Sequence, residues 1–454
     1  MRKRRRLLTG ILAFLLWAGT LFSYAQAAPL ISLEEATQLP EPPRIQSDYA
    51  ILIEMKSGAI LYEKNAREKA FPASTTKVMT ALLTMERCQM DDSLTFSYRA
   101  THELPAGSSH IARTENEVMT IEECLYGMMV ASANEVAQGL AEHISGSFES
   151  FASLMTLRAY ELGAINTNFV NAHGFHDPNH YTCPYDLALM MREAMKHDLL
   201  KTIMGTEKYQ IPPTNKHHEI TYLQMKHPLL SNAEEMKYPY AVAGKTGYTE
   251  EAGNTLVTYA KQGDLDLICV VMHAPSSKVT GEDSVALFNY GFQNFHCMSL
   301  SSAESILQSR EDHFLSGDLL RLSYASDAWC TLPNGSSLND LKSEVILMGG
   351  KEKESTLAAR IYYLGEQEVG RCLLTAAPVE ELIPLNPAVK VEPSQKEVLR
   401  QVHLGLPLIY WILIGGGLIL LLLLLLAFYL IRRILKQRKR RQEQARRALN
   451  RIAE

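Results

Sequence analysis

The feature that most constrains this chain of 454 residues is an uncharged apolar run from Leu406 to Ile431. At a rise of 1.5 Å per residue, a helix of this length can cross a hydrocarbon core about 30 Å thick. A helix on the surface of a soluble domain carries a polar stripe along one side, and this run has none. The run therefore predicts a transmembrane helix, and a water-soluble fold is expected before residue 406.

The segments at both ends of the chain predict its orientation. Residues 432–454 hold ten basic and two acidic residues directly after the apolar run, which is typical of a cytoplasmic tail. A nucleic-acid-binding tail is the alternative, and the position against the membrane disfavours it. Residues 1–27 combine a basic start, an apolar stretch and Ala25-Gln26-Ala27, which is the pattern of a cleaved signal peptide, with an uncleaved anchor as the alternative. We therefore expect an exported, single-pass protein of the cell membrane, folded on its outer face.

The charge of the exported part excludes one class of partner. The chain has 45 basic and 50 acidic residues, but five of the basic ones precede residue 7 and ten follow Ile431. Removing these, and the two acidic residues of the tail, leaves 30 basic and 48 acidic residues, a net charge near −18. So acidic a domain is a poor candidate for binding nucleic acid.

Seven cysteines are present, and their spacing contains no CxxC pair. Most stand beside apolar neighbours, so we interpret them mainly as small buried side chains. A disulfide is possible in an exported protein, but the sequence indicates no pairing.

The pattern between the ends predicts two folded regions and their connections. Alternating apolar residues around Gly58 predict a β-hairpin over residues 51–62. Helical periodicity starts at Ser74 and continues to about residue 200, after which strands return near Tyr240, and a helix is predicted over residues 282–295. The order favours an α/β (α+β) domain over residues 46–297, with helices on both faces of a sheet and an inserted helical lobe. The remaining predicted parts are a leader (28–45), a small all-β domain (300–390) and a linker (391–405) before the transmembrane helix (406–431) and the basic tail (432–454).

The first chemical motif is Ser74-Thr75-Thr76-Lys77, which follows Pro72-Ala73 at a predicted helix start. Residues three apart share one face of a helix, so the hydroxyl of Ser74 and the amine of Lys77 can meet. A serine hydroxyl needs a base to become a nucleophile, and a lysine of lowered pKa can be that base. The alternative is an ordinary helix N-cap followed by a solvated lysine.

Two further motifs follow in order. Ser132-Ala133-Asn134 lies between two predicted helices and offers a hydroxyl and an amide. Lys245-Thr246-Gly247 lies on a predicted strand and offers an ammonium and a hydroxyl, beside a glycine that lets a substrate lie close. Alone, each also fits a turn or a charged edge strand. All three together, in this order, are typical of penicillin-binding proteins and serine β-lactamases.

The chain resembles the low-molecular-mass penicillin-binding proteins of the serine-type D-alanyl-D-alanine carboxypeptidase family (peptidase family S11). The resemblance covers roughly residues 46 to 297 and extends beyond the three motifs. It includes Phe71-Pro-Ala-Ser-Thr-Thr-Lys-Val-Met-Thr-Ala-Leu-Leu, Asn171-Ala-His-Gly-Phe, Asp177-Pro-Asn-His-Tyr and Gly244-Lys-Thr-Gly-Tyr-Thr-Glu-Glu-Ala-Gly-Asn. The family implies a β-lactamase/transpeptidase-like fold and removal of the terminal D-alanine from peptidoglycan stems, with β-lactams as covalent inhibitors and no cofactor or metal.

The resemblance also implies roles for single residues. Ser74 is expected to be the acylated nucleophile, Lys77 its general base, and Ser132 a proton relay toward the leaving D-alanine. The substrate-binding residues implied are Asn134 for the amide, Lys245 and Thr246 for the terminal carboxylate, Gly247, and Tyr248, whose N–H joins that of Ser74 in the oxyanion hole. Phe175 and His176 depart from the family pattern and receive no role. The histidines from His173 to His180 are expected to make structural hydrogen bonds.

Three alternatives remain from the sequence. A serine β-lactamase would need a glutamate to activate the deacylating water, and Glu161 is the nearest candidate. An endopeptidase or transpeptidase shares the acyl-enzyme, so the motifs do not exclude either activity. An inert wall-binding protein would have lost a catalytic position, and here all are occupied. The sequence leaves the physiological stage, the β-lactam sensitivity and the oligomeric state open.

Overall fold

The computed structural model describes residues 40–378, except for 105–106, 233–235, 301–311, 316–317, 325–327 and 349–356. The predicted signal peptide, transmembrane helix and basic tail lie outside the described residues, as do most of the leader and the whole linker. Within the described part of the chain, no helix is both long and apolar enough to span a bilayer.

A five-stranded antiparallel sheet forms the centre of the first region, in the order β2-β1-β9-β8-β7. The strands of this region, with two smaller pairs, are β1 (Tyr49–Glu54), β2 (Ile60–Lys64), β3 (Ser93–Thr95), β4 (Val118–Thr120), β5 (Lys208–Ile211), β6 (Thr221–Gln224), β7 (Ala241–Thr249), β8 (Gly253–Gln262) and β9 (Leu265–Ala274). The predicted hairpin is confirmed as β1 and β2, with Gly58 at φ 75° in its turn. Strand β7 lies at the edge of the sheet, which leaves one side of its backbone without a neighbouring strand.

Helices cover both faces of this sheet, as the sequence predicts. Successive residues of a strand point to opposite faces, so Ile51 and Ile53 pack in one apolar core while Ala50 and Leu52 pack in the other. Strand β9 is buried on both faces from Leu267 to Met272, which explains the unbroken apolar run there. The helices are α1 (Lys77–Arg87), α2 (Tyr98–His102), α3 (Ile121–Val130), α4 (Asn134–Ser145), α5 (Phe148–Glu161), α6 (Pro184–Ala194), α7 (Asp198–Gly205) and α8 (Ser277–Asn294).

The helical lobe is inserted between β2 and β7. Capping residues set the start of one of its helices and the end of another. The side chain of Thr120 accepts from the N–H of Glu123, whose carboxylate accepts from the N–H of Thr120. Helix α3 therefore starts at Ile121, where the sequence places it. Helix α4 ends at Gly146, which adopts φ 76° as a C-terminal glycine often does. The sequence analysis missed α2, α7, the β3–β4 pair and the β5–β6 hairpin, all of which are short.

A second, all-β region follows α8 directly. Its strands are β10 (Phe295–Ser299), β11 (Asp312–Leu315), β12 (Asp318–Tyr324), β13 (Trp329–Pro333), β14 (Leu341–Met348), β15 (Leu357–Leu364) and β16 (Gln367–Pro378). Five of them form an antiparallel sheet in the order β11-β12-β16-β15-β14, and β10 pairs with β13. The hydroxyls of Ser57 and Thr331, 2.7 Å apart, join this region to the turn after β1. The described residues of both regions belong to one compact unit.

The seven cysteines form no disulfide with one another, and five of them are buried. Cys269 lies in the core on one face of the central sheet, and Cys330 and Cys372 lie in the core of the all-β region. This placement fits the interpretation of the cysteines as small apolar side chains.

Candidate active site

Ser74 lies in a 3₁₀ turn, Ala73–Thr76, that leads directly into α1. The sequence analysis placed Ser74 on the helix itself, and this detail is corrected, because the regular α-helix begins only at Lys77. The preceding Ala73 has φ 47°, an unusual value for a residue with a side chain. The tight turn still places the Ser74 hydroxyl 2.9 Å from the Lys77 amine.

The side chain of Lys77 is fully buried and has three polar neighbours. Its Nζ donates to Asn134 Oδ1 at 2.7 Å and to the backbone carbonyl of His173 at 2.8 Å. A neutral amine has two N–H bonds and one lone pair. Because the two amide oxygens can only accept, they take both N–H bonds and leave the lone pair directed at Ser74 Oγ. The geometry therefore suits a general base.

Two effects favour the neutral form of Lys77. Burial is the larger one, and it lowers the pKa of Lys77 well below its ordinary value. The positive charge of Lys245 lowers this pKa further, while the Glu135 carboxylate opposes the shift. A lowered pKa increases the fraction of Lys77 that is neutral and able to accept a proton from serine.

The second motif forms the turn between α3 and α4. Ser132 adopts φ 61°, a strained conformation that structures tend to retain at functional sites. Its hydroxyl accepts a hydrogen bond from Lys245 Nζ at 3.0 Å. Asn134 begins α4, and its carbonyl oxygen contacts Lys77, so Asn134 positions the base in addition to the substrate role implied by the resemblance.

The third motif lies on the edge strand β7. Lys245 Nζ also donates to the backbone carbonyl of Thr246 at 2.9 Å, and burial lowers the pKa of Lys245 to about 7. Because this ammonium also contacts Ser132, the carbonyl of Thr246 faces the same groove. Alternate residues of a strand direct their backbone groups to the same side, so the N–H and C=O of Tyr248 face the groove as well.

Gly247 has a packing role that the sequence did not reveal. The sequence analysis explained this glycine by close approach of a substrate, which stays a prediction. A Cβ atom at this position would lie 2.4 Å from Thr255 Oγ1, 2.8 Å from the backbone nitrogen of Ser74 and 3.0 Å from the Pro72 carbonyl. Glycine is required because β7 packs directly against the turn that carries the nucleophile.

The segment from His173 to His180 supports the same turn. Val170 N–H donates to Nδ1 of His180, so Nε2 carries the proton and donates to Thr76 Oγ1 at 2.8 Å. Burial lowers the pKa of His173 and of His180 to about 3, so both rings are neutral. The expected structural hydrogen bonds are confirmed for His180 and for His173, whose Nδ1 accepts the N–H of Phe175 at 3.1 Å, but Nδ1 of His176 has no hydrogen-bond partner among the described residues. The sequence analysis gave His173 no part in the site, although the resemblance over residues 171–175 marked the segment.

These elements surround a groove of about 1030 Å³. Its walls come from the loop at residues 107–111, strand β6, strand β7 and the loop at residues 174–176. The buried carboxylate of Glu135 holds the first loop, because its Oε1 accepts the N–H of Ile111 at 2.6 Å. All eight predicted site residues lie on this groove or contact residues that line it. The described residues contain no cluster of three or more His, Cys, Asp or Glu side chains that could hold a metal ion.

Comparison with known proteins agrees with this geometry. The sequence model for D-alanyl-D-alanine carboxypeptidases matches residues 36–276. The chain is 32% identical over 303 residues to the D-alanyl-D-alanine carboxypeptidase DacF of Bacillus subtilis, covering 65% of this chain and 75% of the relative. It is 28% identical to DacC of Escherichia coli, covering 73% of this chain and 81% of the relative.

Solved structures of the same fold exist. Penicillin-binding protein 5 of Haemophilus influenzae superposes with a TM-score of 0.59 at 25% identity, covering 75% of this chain and 98% of that structure. A point mutant of the Streptomyces K15 DD-transpeptidase gives a TM-score of 0.52 at 27% identity, covering 55% of this chain and 99% of that one.

Proposed function

The chain belongs to the family of D-alanyl-D-alanine carboxypeptidases, and we propose that it removes the terminal D-alanine from peptidoglycan pentapeptide stems through an acyl-enzyme on Ser74. The observation that carries the assignment of Ser74 is the environment of Lys77. Two amide oxygens hold the buried amine with its lone pair toward a hydroxyl 2.9 Å away. This arrangement prepares a serine for attack on a carbonyl carbon.

Acylation follows from the positions of these groups. Lys77 Nζ takes the proton of Ser74 Oγ as the new C–O bond forms. The N–H groups of Ser74 and Tyr248 stabilise the oxyanion that develops. The bond between the carbonyl carbon and the terminal D-alanine nitrogen then breaks, and that nitrogen receives a proton through Ser132. Water then cleaves the ester: its oxygen bonds to the acyl carbon, the bond from that carbon to Ser74 Oγ breaks, and a proton of the water restores the Ser74 hydroxyl.

We assign binding of the substrate's terminal carboxylate to Lys245 and Thr246 of the third motif. Lys245 presents an ammonium beside Ser132, and Thr246 lines the groove next to it. β-Lactams carry a comparable carboxylate beside a reactive amide, so they should acylate Ser74 in the same orientation.

The β-lactamase alternative loses its candidate glutamate. Glu161 ends α5, forms an ion pair with Arg158 at 3.2 Å and does not line the groove. It is therefore not placed to activate a deacylating water.

The test is intact-mass spectrometry of the full chain after incubation with penicillin, together with release of D-alanine from a peptide that ends in D-Ala-D-Ala. We expect a stable adduct and D-alanine release, and loss of both in Ser74→Ala. A short-lived adduct with hydrolysed penicillin and no peptide cleavage would indicate a β-lactamase. Transfer of the acyl group to an added amine in preference to water would indicate a transpeptidase.

The location of the enzyme is part of the proposal. The sequence patterns of residues 1–27 and 406–454 support export, followed by anchoring through one transmembrane helix with a cytoplasmic tail. In sealed spheroplasts, external protease should remove the catalytic region and leave a tag after Glu454 protected. Digestion of that tag would reject this orientation.

The charge of Lys245 predicts how the rate depends on pH. Its pKa is about 7 in the free enzyme, so the ammonium that binds the carboxylate is lost as the pH rises above 7. The second-order rate of acylation by penicillin should therefore fall above this pH. In Lys245→Arg the fall should move to higher pH, because arginine stays charged. Stopped-flow acylation from pH 5 to 10 measures both profiles, and identical alkaline limbs would contradict the assignment.

A further inference from the structure

Glu135 is a buried carboxylate close to the reacting groups, and the proposed reaction gives it no part in the chemistry. It follows Asn134 at the start of α4 and is 1% exposed. Its Oε1 accepts the N–H of Ile111 at 2.6 Å and that of Arg113 at 3.4 Å. Its Oε2 is buried without a hydrogen-bond partner among the described residues. A buried oxygen in this state destabilises the folded protein, so its position requires an explanation.

The first turn of α4 connects this carboxylate with the base and with the wall of the groove. Asn134 Oδ1 holds the Lys77 amine at 2.7 Å, and the N–H of Asn134 donates to the carbonyl of Ser109 at 2.8 Å. Ser109 and Ile111 both line the groove, and Glu135 binds the second of them. The side chain of Glu135 therefore belongs to the packed group of residues around the Lys77 amine.

The charges that act on Lys77 have opposite signs and come from different elements. Lys245 on β7 lowers the pKa of Lys77, and the carboxylate of Glu135 on α4 raises it. His173 and His180 lie on the remaining side and are neutral, because burial lowers the pKa of each to about 3. The protonated form of Lys77 is thus repelled by one group and attracted by the other.

Backbone groups stabilise the ionised form of Glu135 without cancelling its charge. Burial raises the pKa of this carboxyl, whereas the N–H groups of Ile111, Glu135 and Arg113 and the nearby His110 lower it. The guanidinium of Arg113 pairs instead with Glu117 at 2.8 Å. Neutral N–H donors favour a carboxylate but leave its net charge in place. That charge acts on Lys77 through protein, where screening by salt is weak.

From this arrangement we infer that Glu135 is a positioning residue for acylation, whose negative charge offsets Lys245 and stabilises Lys77 as it takes the proton of Ser74. The inference rests on the proposed function, because that reaction moves the proton from Ser74 Oγ to Lys77 Nζ. Glu135 itself neither gains nor loses a proton in the step. Without its charge, Lys77 would be a weaker base.

The test measures the second-order rate of acylation by penicillin for the full chain from pH 4 to 8, by stopped flow. Glu135→Gln removes the charge and keeps an oxygen that can accept from Ile111. Because the pKa of Lys77 falls, the amine stays neutral to lower pH, and the acid limb of the profile should move down by about one unit. A weaker base also lowers the plateau, by about three-fold. The variant should therefore be about three-fold slower than the wild type above the limb and about three-fold faster below it.

Further variants separate the charge from the structural bonds of Glu135. Glu135→Ala removes both, so its limb should move as in Glu135→Gln while its plateau falls further. Glu135→Asp keeps the charge and should keep the limb of the wild type, even where the shorter side chain lowers the rate. Glu115→Gln is the matched control, because Glu115 is exposed, follows Arg113 closely in the chain and does not line the groove. Its profile should match that of the wild type.

The crossing of the two profiles is the decisive result, since a purely structural defect slows acylation at every pH. A ratio of the Glu135→Gln rate to the wild-type rate that stays constant from pH 4 to 8 would overturn the inference. The same shift in Glu135→Asp as in Glu135→Gln would also overturn it. Absence of a penicillin adduct in the wild type would instead reject the proposed function, so the two failures are distinguishable.

Discussion

Lys77→Met is expected to slow acylation of Ser74 by penicillin about 1000-fold, which is within the range for loss of a general base. Methionine fills most of the space of the lysine side chain but cannot accept the proton of Ser74. Asn134 Oδ1 and the His173 carbonyl would also lose their donor, although neither reacts with the substrate. Stopped-flow or mass-spectrometric acylation rates measure the effect.

The same variant should also change how stability depends on pH. The pKa of Lys77 is lowered in the folded protein, whereas an unfolded lysine stays protonated up to about pH 10.4. The unfolded state therefore binds more protons, and the free energy of unfolding of the wild type rises with pH relative to Lys77→Met. Urea denaturation at pH 7 and pH 9 tests this direction.

Lys342→Met is the matched control for Lys77→Met. Lys342 is exposed on β14 of the all-β region, so its replacement should leave the acylation rate near that of the wild type. A Lys77→Met enzyme that acylates at a wild-type rate would remove Lys77 from its role as base.

Gly174→Ala is expected to damage both stability and acylation. Gly174 has φ 87°, and an added Cβ would lie 1.7 Å from the carbonyl oxygen of Ala73 and 2.7 Å from Thr76 Oγ1. The backbone of Ala73 would have to move, and Ala73 belongs to the same turn as Ser74. We expect a loss of about 3 kcal/mol in the free energy of unfolding. Acylation should slow about 100-fold, because displacement of reacting groups by about 1 Å has effects of this size.

Gly146→Ala is the control that measures the destabilisation caused by the positive φ alone, without a steric contact. Gly146 has φ 76°, similar to that of Gly174, but an added Cβ there meets nothing within 4 Å. Its replacement should cost about 1 kcal/mol and leave acylation unchanged. Urea denaturation and penicillin acylation of both variants provide the comparison. Equal losses in the two would show that the contact with Ala73 is not the constraint on Gly174.

The local sequence determined much of this protein. Residues three apart bring Ser74 and Lys77 together on a short turn of chain, so their contact could be predicted without a fold. Helix α3 begins at its own capping box, and strand β9 is apolar from Leu267 to Met272 because both its faces are buried there. The order of the three motifs then indicated the family and the chemistry.

Only the tertiary structure decided how that chemistry is prepared. The carbonyl that holds Lys77 comes from His173, 96 residues away, and no local pattern identifies a backbone acceptor. Gly247 is glycine because β7 packs against the turn of Ser74, a contact between elements far apart in the chain. The position of β7 at the sheet edge follows from the strand order, which periodicity does not encode. The spacing of residues along the chain therefore indicates which side chains take part in the reaction. Packing between distant elements orients the lone pair of Lys77, lowers the pKa of this lysine and forms the groove.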